Sequence, residues 1–361
     1  MSFLTKKIFN SDVFGLDISD FSVKVVMLAD NGSSIDVVSY ASVSLPVGSV
    51  YDGEIKNKQQ VADAIKKVIK LAGPKKISTK KVICSLPEMK AFLRIISIPQ
   101  MEKDELKEAV KWEMEANIPL PLEQVYYDWQ LLDSNFTSEK NKSNLLVVAI
   151  SKPIVDQVIE VLELAGLDPV GLELESIAQG RGLIEGKNEK HTVLLVDIGD
   201  RRTTFSILKD GVPCFTSSIP LCGQSMTEVI SRALNIQNDE AEKTKIQYGI
   251  GSDYKNDAIF KAVKPVLDNF ASEIEKSIDF FVSGLQYDTK IDDIVVCGGG
   301  SKTKGIISYL SKKIGRELQL GNPWITVVVG KSLPAISKEE SVQYTTAIGL
   351  ALKGLQYEDI S

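Results

Sequence analysis

Two stretches of the chain, VFGLDISDFSVKVV (13–26) and LLVDIGDRRTTFSI (194–207), repeat each other. Each begins with an apolar run that ends in Asp-Ile-x-Asp, and a second strand-like run follows, which is the pattern of two strands joined by a polar turn. A hairpin turn signal comes next in both, Asn31-Gly32 in the first and Asp210-Gly211 in the second. The recurrence predicts two lobes of like topology, each opening with the same hairpin.

The size and charge of the chain limit its function class. A length of 361 residues exceeds what one hydrophobic core usually organises, so two or more subdomains are expected. The composition, 43% hydrophobic and 25% charged, is that of a globular protein that dissolves in water. The formal net charge of −6 argues against a nucleic-acid partner, because phosphates favour a basic surface.

The cysteines and the apolar runs indicate a protein of the reducing cytoplasm. Four cysteines are scattered without a Cys-x-x-Cys pair, which fits neither a zinc cluster nor a disulfide framework. The one histidine, His191, is expected to be a loop residue before a strand. Residues 1–10 are too short for a signal peptide core, and no later run approaches the ~20 apolar residues of a membrane span. We therefore expect no direct membrane span.

Apolar stripes at helical spacing predict core helices around the hairpins. One stripe runs from Val61 to Ala72 and stops at Gly73-Pro74. A longer stripe runs through Val263, Val266, Leu267, Phe270, Ile274, Ile278, Phe281, Val282 and Leu285. Both are interpreted as core and not as cofactor sites.

A segment between the two hairpins has a β-α-β-β-α pattern, which predicts a small α+β layer inserted in the first lobe. The expected elements are a strand at 92–99, a helix at 101–117 with Leu106, Val110 and Met114 on one face, strands at 126–132 and 144–150, and a helix at 154–165. The polar stretch Ser134–Ser143 is expected to be an exposed, mobile hairpin loop.

A third signal is IVVCGGGSKTKGI (294–306), a buried strand that ends in three glycines before a helix. Glycine lets a backbone approach a ligand closely, and a helix N-terminus offers unpaired N–H groups to an anion. Taken alone, the pattern also fits a tight strand-to-helix turn without a ligand. Other nucleotide motifs fit less well, because Ile306 stands where a P-loop requires lysine and no Gly-x-Gly-x-x-Gly opens a helix near the N-terminus.

Together these signals resemble the superfamily of actin, sugar kinases and heat-shock chaperones, in which two hairpins face each other across a cleft and grip phosphates. Within it the chain is most similar to the PilM family of type IV pilus assembly, with FtsA and MreB as more distant relatives. The resemblance covers nearly the whole chain and includes FGLDISDFSVKVV (14–26), WEMEANIPLPLEQ (112–124), YDWQ (127–130) and AIGLALKGL (347–355). It implies an α/β, actin-like two-lobed fold of duplicated ribonuclease H-like lobes with a small inserted α+β subdomain.

The resemblance also implies domain bounds. The first lobe is expected at 1–85, completed by 171–190 and 335–361, and the inserted β-α-β-β-α subdomain at 86–170. The second lobe is expected at 191–334, with a helical subdomain at about 223–265.

Site residues follow from the same resemblance. Asp17 and Asp197 correspond to the metal-binding aspartates that hold Mg²⁺, and Lys24 to a lysine that reaches the phosphates of ATP or ADP. Glu175 resembles the catalytic carboxylate that orients water, and the role of an exposed or helix-capping glutamate fits it equally. The implied nucleotide-binding residues are Asp17, Ser19, Ser22, Lys24, Asp197, Gly199, Thr203, Glu242, Lys245, Gly298, Gly299, Gly300 and Ser301. Of these, Glu242 and Lys245 belong to an Ala-Glu-x-x-Lys helix expected near the ribose and base, for which a solvated helix face is the alternative.

The first loop departs from the family pattern Asp-Ile-Gly-Ser, since it reads Asp17-Ile18-Ser19-Asp20. A β-carbon at Ser19 narrows the approach of the backbone to phosphate. Asp20 would repel phosphate unless Mg²⁺ or a turned-away side chain intervenes. The departure weakens the case for hydrolysis more than the case for binding.

Three functions stay open on the sequence. The first is a cytoplasmic nucleotide-binding scaffold of type IV pilus assembly, peripheral at the cytoplasmic face of the inner membrane. A groove near its inserted subdomain would take the cytoplasmic tail of a PilN-type bitopic inner-membrane protein, and pilus motor ATPases would be further partners. The second is an active ATPase or phosphotransferase. The third is an MreB- or FtsA-like filament former, and a homo-oligomer is compatible with each.

Overall fold

The structure of the chain is a computed structural model that describes residues 13–101, 103–132, 136, 141–184, 191–250, 257–284, 290–325, 327–329 and 336–356. Its strands are β1 Val13–Ile18, β2 Ser22–Asp30, β3 Ile35–Ser44, β4 Val50–Tyr51, β5 Glu54–Ile55, β6 Gly73–Pro74, β7 Lys81–Leu86, β8 Ala91–Pro99, β9 Val125–Leu131, β10 Lys142–Ser151, β11 Asp168–Leu174, β12 Thr192–Ile198, β13 Thr203–Lys209, β14 Val212–Ile219, β15 Asp293–Cys297, β16 Leu318–Leu320 and β17 Val328–Val329. Its helices are α1 Lys58–Leu71, α2 Lys103–Asn117, α3 Lys152–Leu164, α4 Glu175–Ile184, α5 Gly223–Leu234, α6 Asn238–Tyr248, α7 Asp257–Asp279, α8 Ile306–Ile314, α9 Lys338–Ser341 and α10 Thr345–Leu355.

Two of the sheets have the same strand order. The first sheet contains the run β11-β7-β1-β2-β3, and the second sheet runs β16-β15-β12-β13-β14. In both sheets, the first three strands in sequence are antiparallel neighbours. Of the two later strands, one pairs in parallel with the opening strand, and the other pairs in parallel with that later strand. The repeat seen in the sequence is therefore a repeat of topology, as predicted.

The opening hairpins form where the sequence places them. Residues of β1 and β12 are almost wholly buried, as expected for central strands covered on both faces. Asp210 and Gly211 form a two-residue turn between β13 and β14 with φ of 54° and 79°, the geometry of a type I′ turn. Asn31-Gly32 lies instead in a longer connection between β2 and β3.

Two helices cross beneath the sheets at glycines. In α10, Gly349 lies so close to α4 that an added Cβ would be 1.7 Å from the Ala178 carbonyl oxygen. In α4, an added Cβ on Gly182 would be 2.9 Å from the Thr345 carbonyl oxygen. Because glycine has no side chain, the two backbones touch directly at this crossing. The N-terminal ends of both helices then reach the space between the first and second sheets.

The inserted segment folds with the predicted order of elements. Its third sheet runs β8-β10-β9, and Leu106, Val110 and Met114 of α2 are buried against it. The sheet also touches the second half of the chain, because β8 packs against β14. The domain bounds that the resemblance implies stay a prediction.

Two expectations about exposure are wrong. Phe136, in the stretch expected to be an exposed loop, is only 4% exposed, and its carbonyl accepts a hydrogen bond from Lys209 of β13. Residues 134, 135 and 137–140 of that stretch lie outside the described residues. Val282, expected in the core, is 45% exposed because α7 continues into a π-helical turn, Phe280–Gly284, whose wider spacing rotates the stripe. Leu285 of that stripe lies outside the described residues.

In the described part of the chain, no helix has the length and apolar character needed to cross a membrane.

Candidate functional site

A cavity of about 410 Å³ opens between the first and second sheets at the carboxyl ends of β1 and β12. Most of the predicted nucleotide-binding residues line it, namely Asp17, Ser19, Ser22, Lys24, Asp197, Gly199, Glu242, Lys245, Gly298, Gly299 and Gly300, together with Glu175. Two predicted residues do not line it. Thr203 is fully buried at the start of β13, and the Ser301 hydroxyl donates to the Gly298 carbonyl and holds the glycine turn.

Asp17 is fixed by neighbours on both sides. It is opposite Lys24 in the β1–β2 register, and the Lys24 ammonium lies 3.3 Å from Asp17 Oδ2. The Ser85 hydroxyl, on the parallel strand β7, donates to Asp17 Oδ1 at 3.1 Å. Both charged side chains are buried, so each compensates the desolvation of the other.

Asp197 is the counterpart of Asp17 in the second sheet. Gln179 of α4 donates from Nε2 to Asp197 Oδ2 at 2.6 Å. Burial, followed by the nearby charge of Asp17, raises the pKa of Asp197 to about 6, although the Gln179 hydrogen bond acts in the opposite direction. Gly298 approaches so closely, with φ of +81°, that an added Cβ would lie 2.0 Å from Asp197 Oδ1. Glycine is therefore required at this turn.

Glu175 and Glu88 form a reciprocal pair at the start of α4. The backbone N–H of Glu88 donates to the Glu175 carboxylate at 3.3 Å, and that of Ser176 donates to the Glu88 carboxylate at 3.1 Å. Burial and then the charges of Asp17, Asp197 and Glu88 raise the pKa of Glu175 well above its usual value. The cleft thus concentrates negative charge and favours a cationic ligand group.

The donor set fits Mg²⁺ in the manner that the resemblance implies. Asp17, Asp197 and Glu175 offer carboxylate oxygens, the ligands that Mg²⁺ prefers, along the cleft wall. Among the described residues, no group of three or more His, Cys, Asp or Glu side chains is close enough to hold a metal ion directly. A Mg²⁺ ion here would therefore keep several waters or take phosphate oxygens as ligands.

The first loop turns Asp20 out of the cleft. Its carboxylate accepts hydrogen bonds from the backbone N–H groups of Gly53 at 3.0 Å and Asp52 at 3.2 Å, and it lies 3.1 Å from Arg201 Nε. The Ser19 and Ser22 hydroxyls are 3.0 Å apart and close the turn at the cleft wall. The charge that would repel phosphate is thus directed elsewhere.

The Ala-Glu-x-x-Lys helix, α6, is anchored by its lysine. Lys245 is 6% exposed and donates to the Gly223 carbonyl at 3.0 Å and to the Thr227 hydroxyl at 2.9 Å, which ties α6 to α5. Glu242, 2.7 Å from Lys245 Nζ, lies at the rim of the cavity. Ile246 also lines the cavity and is 63% exposed, an apolar surface that can cover a base.

Sequence reasoning missed Gln179, Glu88 and Ser85. Gln179 lines the cleft, whereas Ser85 and Glu88 are buried and hydrogen-bond to the cleft residues Asp17 and Glu175. Tertiary packing brings all three there, and none belongs to a motif with a fixed spacing. Ile246 could have been found, because it follows Lys245 directly in the recognised helix.

Duplicated sheets that open with paired aspartate hairpins and enclose a polar cleft with a glycine turn define an actin-like protein. A sequence model of the family described as type IV pilus assembly protein PilM matches residues 15–355. The chain belongs to this family. A solved chain from a PilM–PilN type IV pilus biogenesis complex is 29% identical, covers 96% of this chain and 99% of its own length, and has a TM-score of 0.82.

More distant relatives agree with the actin-like fold. The cell division protein FtsA of Bacillus subtilis is 23% identical over 217 residues, which are 55% of this chain and 47% of FtsA. FtsA of Pseudomonas aeruginosa is 26% identical over 212 residues, 53% of this chain and 49% of FtsA. The chain thus spans about half the length of these curated relatives. MreB5 of Spiroplasma citri bound to ADP has a TM-score of 0.51 at 14% identity, covering 94% of this chain and 95% of its own.

Proposed function

We propose that this chain is a nucleotide-binding scaffold of the type IV pilus assembly machinery, which holds ATP or ADP with Mg²⁺ between its first and second sheets. The observation that carries the proposal is the convergence of Asp17, Asp197 and the Gly298–Gly300 turn on one cavity. Support also comes from the ADP described in the MreB5 structure of the same fold.

Each part of the cleft has a role in this proposal. Lys24 and the backbone N–H groups of the two hairpin turns meet the phosphates, and Asp17 and Asp197 hold Mg²⁺ through water. Gly298 and its neighbours let the backbone approach the nucleoside. Glu242 and Ile246 lie at the rim, where the ribose and base would rest.

Bound nucleotide can be tested directly. Mass spectrometry of denatured, purified protein is expected to detect released ATP or ADP.

Lys24→Met is expected to weaken Mg²⁺-nucleotide binding by about 10- to 100-fold, the value of one charge-assisted hydrogen bond. The matched control is Lys58→Met, which removes an exposed lysine of α1 that pairs with Glu160. If wild type, Lys24→Met and Lys58→Met bound Mg²⁺-nucleotide with equal affinity, the assignment of the cleft as the nucleotide site would be contradicted.

The partner in this proposal is the cytoplasmic tail of a PilN-type inner-membrane protein, which places the chain in the cytoplasm at the inner membrane. Support comes from the solved PilM–PilN complex. In the third sheet, β8 packs against β14, whereas β9 is the outer strand on the other side of β10. Tyr126, Tyr127 and Leu131 of β9 are 44–50% exposed, so an extended tail could add to this edge and cover them. Pilus motor ATPases are further partners in the same proposal.

A synthetic PilN-type N-terminal peptide tests the β9 edge. Tyr127→Glu and Leu131→Glu are expected to weaken binding at least about tenfold, because each places a charge against an apolar contact. The matched control is Trp112→Ala on α2, which removes an exposed aromatic side chain outside β9. Unchanged binding in both β9 variants would move the docking site elsewhere.

ATP hydrolysis is a second candidate function, favoured by the position of Glu175 beside Asp17 and Asp197 in the cleft. In-line attack on the γ-phosphate needs a group that orients water, and in this candidate function Glu175 would be that group. Steady phosphate release by purified protein that is lost in Glu175→Ala would support it. Negligible phosphate release by a protein that retains bound nucleotide would contradict hydrolysis and support the scaffold function.

A further inference from the structure

The two hairpin turns that face the cleft are joined by an ion pair. Asp20 lies in the turn between β1 and β2, and Arg201 in the turn between β12 and β13. Arg201 Nε is 3.1 Å from Asp20 Oδ2. This contact spans the first and second sheets, so it holds together parts of the chain that would separate if the cleft opened.

Both partners are fixed in place by other contacts. Asp20 accepts the backbone hydrogen bonds of Asp52 and Gly53. The Arg201 guanidinium lies 4.3 Å from the centroid of the Tyr51 ring and 5.3 Å from that of Phe21, both on the Asp20 side. An arginine stacked on aromatic rings loses little further freedom when it also meets a carboxylate.

The pair is shielded from water. The exposed fractions of the side chains are 12% for Asp20 and 24% for Arg201. Coulomb attraction is stronger here than at a fully exposed site, where ion pairs contribute little. Beside it, Arg202 Nη1 lies 4.0 Å from Asp52 Oδ1 in a second, weaker contact between the same two parts of the chain.

The position of the pair relates it to the phosphate loops. A second cavity of about 120 Å³ includes Asp20 and Arg201 in its wall and shares Ser19, Phe21, Glu175, Asp197, Gly199 and Asp200 with the main cavity. The ion pair therefore closes the cleft on the side of the two hairpin turns.

We propose that Asp20 and Arg201 form a latch that sets how often the cleft opens, and so how fast nucleotide enters and leaves. The inference rests on the proposed nucleotide binding. A latch that opens in both the free and the bound protein changes both rate constants together, because entry and exit use the same open state. The dissociation constant then stays nearly unchanged, whereas loss of a group that touches nucleotide changes it.

Stopped-flow fluorescence with a labelled ADP and Mg²⁺ tests the latch in the full chain. Asp20→Asn and Arg201→Gln are each expected to raise the association and dissociation rate constants about tenfold, with Kd within about twofold of wild type. The double variant is expected to be no faster than either single variant, because both remove the same interaction. Glu160→Gln is the control, since it breaks the Lys58–Glu160 pair between α1 and α3 and is expected to change neither rate.

Hydrogen exchange of the nucleotide-free protein provides an independent measurement. Both latch variants are expected to exchange the amides of Asp52, Gly53 and residues 199–202 about tenfold faster than wild type. Unchanged rates and unchanged exchange in both variants would overturn the latch, as would opposite changes of Kd in the two variants. Faster exchange in a protein that binds no labelled ADP would retain the latch and refute the nucleotide assignment.

Discussion

Substitution of Gly349 by alanine tests the helix crossing that organises the cleft. In an isolated helix this change would stabilise the helix by about 0.5–1 kcal/mol, because glycine is a poorer helix former than alanine. In this fold the new Cβ would lie 1.7 Å from the Ala178 carbonyl oxygen and 2.4 Å from its carbonyl carbon. Both are backbone atoms, so rotation of a side chain cannot relieve the clash.

The helices α4 and α10 would have to separate by more than an ångström. That movement would stretch the 2.9 Å hydrogen bond that Arg181 Nη1 donates to the Gly349 carbonyl. Overpacking of a buried site costs about 1–3 kcal/mol, and the strained hydrogen bond adds about 1 kcal/mol more. After the gain in helix propensity, we expect a net loss of about 2 kcal/mol.

Urea denaturation measures this loss as a lower midpoint at unchanged slope. The matched control is Gly354→Ala in the same helix, where the added Cβ would meet Val13 side-chain atoms at 3.2 Å. Its stability is expected to stay within about 0.5 kcal/mol of wild type, because contacts at 3.2 Å are relieved by a movement of a few tenths of an ångström. If Gly349→Ala were as stable as wild type, the two backbones could not be in the contact described.

Three further substitutions probe the cleft and its surroundings. Because the pKa of Asp197 is raised to about 6, the folded chain holds this proton more tightly than the unfolded chain, and nucleotide-free stability should fall as pH rises from about 4 to 6. Asp197→Asn should therefore raise stability at pH 7 by about 2 kcal/mol relative to its effect at pH 4, as measured by urea titrations at both pH values. Gly298→Ala should reduce Mg²⁺-nucleotide affinity at least about tenfold in fluorescence titrations, because the new Cβ would displace Asp197. Phe136→Ala should lower stability by about 2 kcal/mol because Phe136 is buried, whereas Trp112→Ala, at an exposed position, should change it by less than about 0.5 kcal/mol in the same assay.

The hairpins could be predicted because their signals are local. An apolar run, an Asp-Ile-x-Asp end and a second strand-like run lie within a few residues of each other, and together they indicate two strands joined by a polar turn. The same holds for the core face of α2. Both halves of the cleft are therefore predictable from local sequence.

The rest of the site depends on contacts between distant segments. Nothing near Gln179 in sequence indicates that its amide meets Asp197, since that contact requires α4 to lie between the sheets. The orientation of Asp20 stayed open because its partner, Arg201, is on the other hairpin. The prediction that Val282 is buried in the core is wrong, because a helical stripe assumes a regular helix and the π-helical turn breaks that regularity.

The packing of α10 has a consequence for synthesis of the chain. This helix contacts β1 and β2, which are translated long before it. During synthesis, the face of the first sheet that α10 covers therefore stays open until α10 has been made, whereas β12–β16 precede α10 in the chain and can pair before it exists. Part of the hydrophobic surface of β1 and β2 thus stays uncovered for longer than that of β12–β16, and a chaperone is expected to bind there.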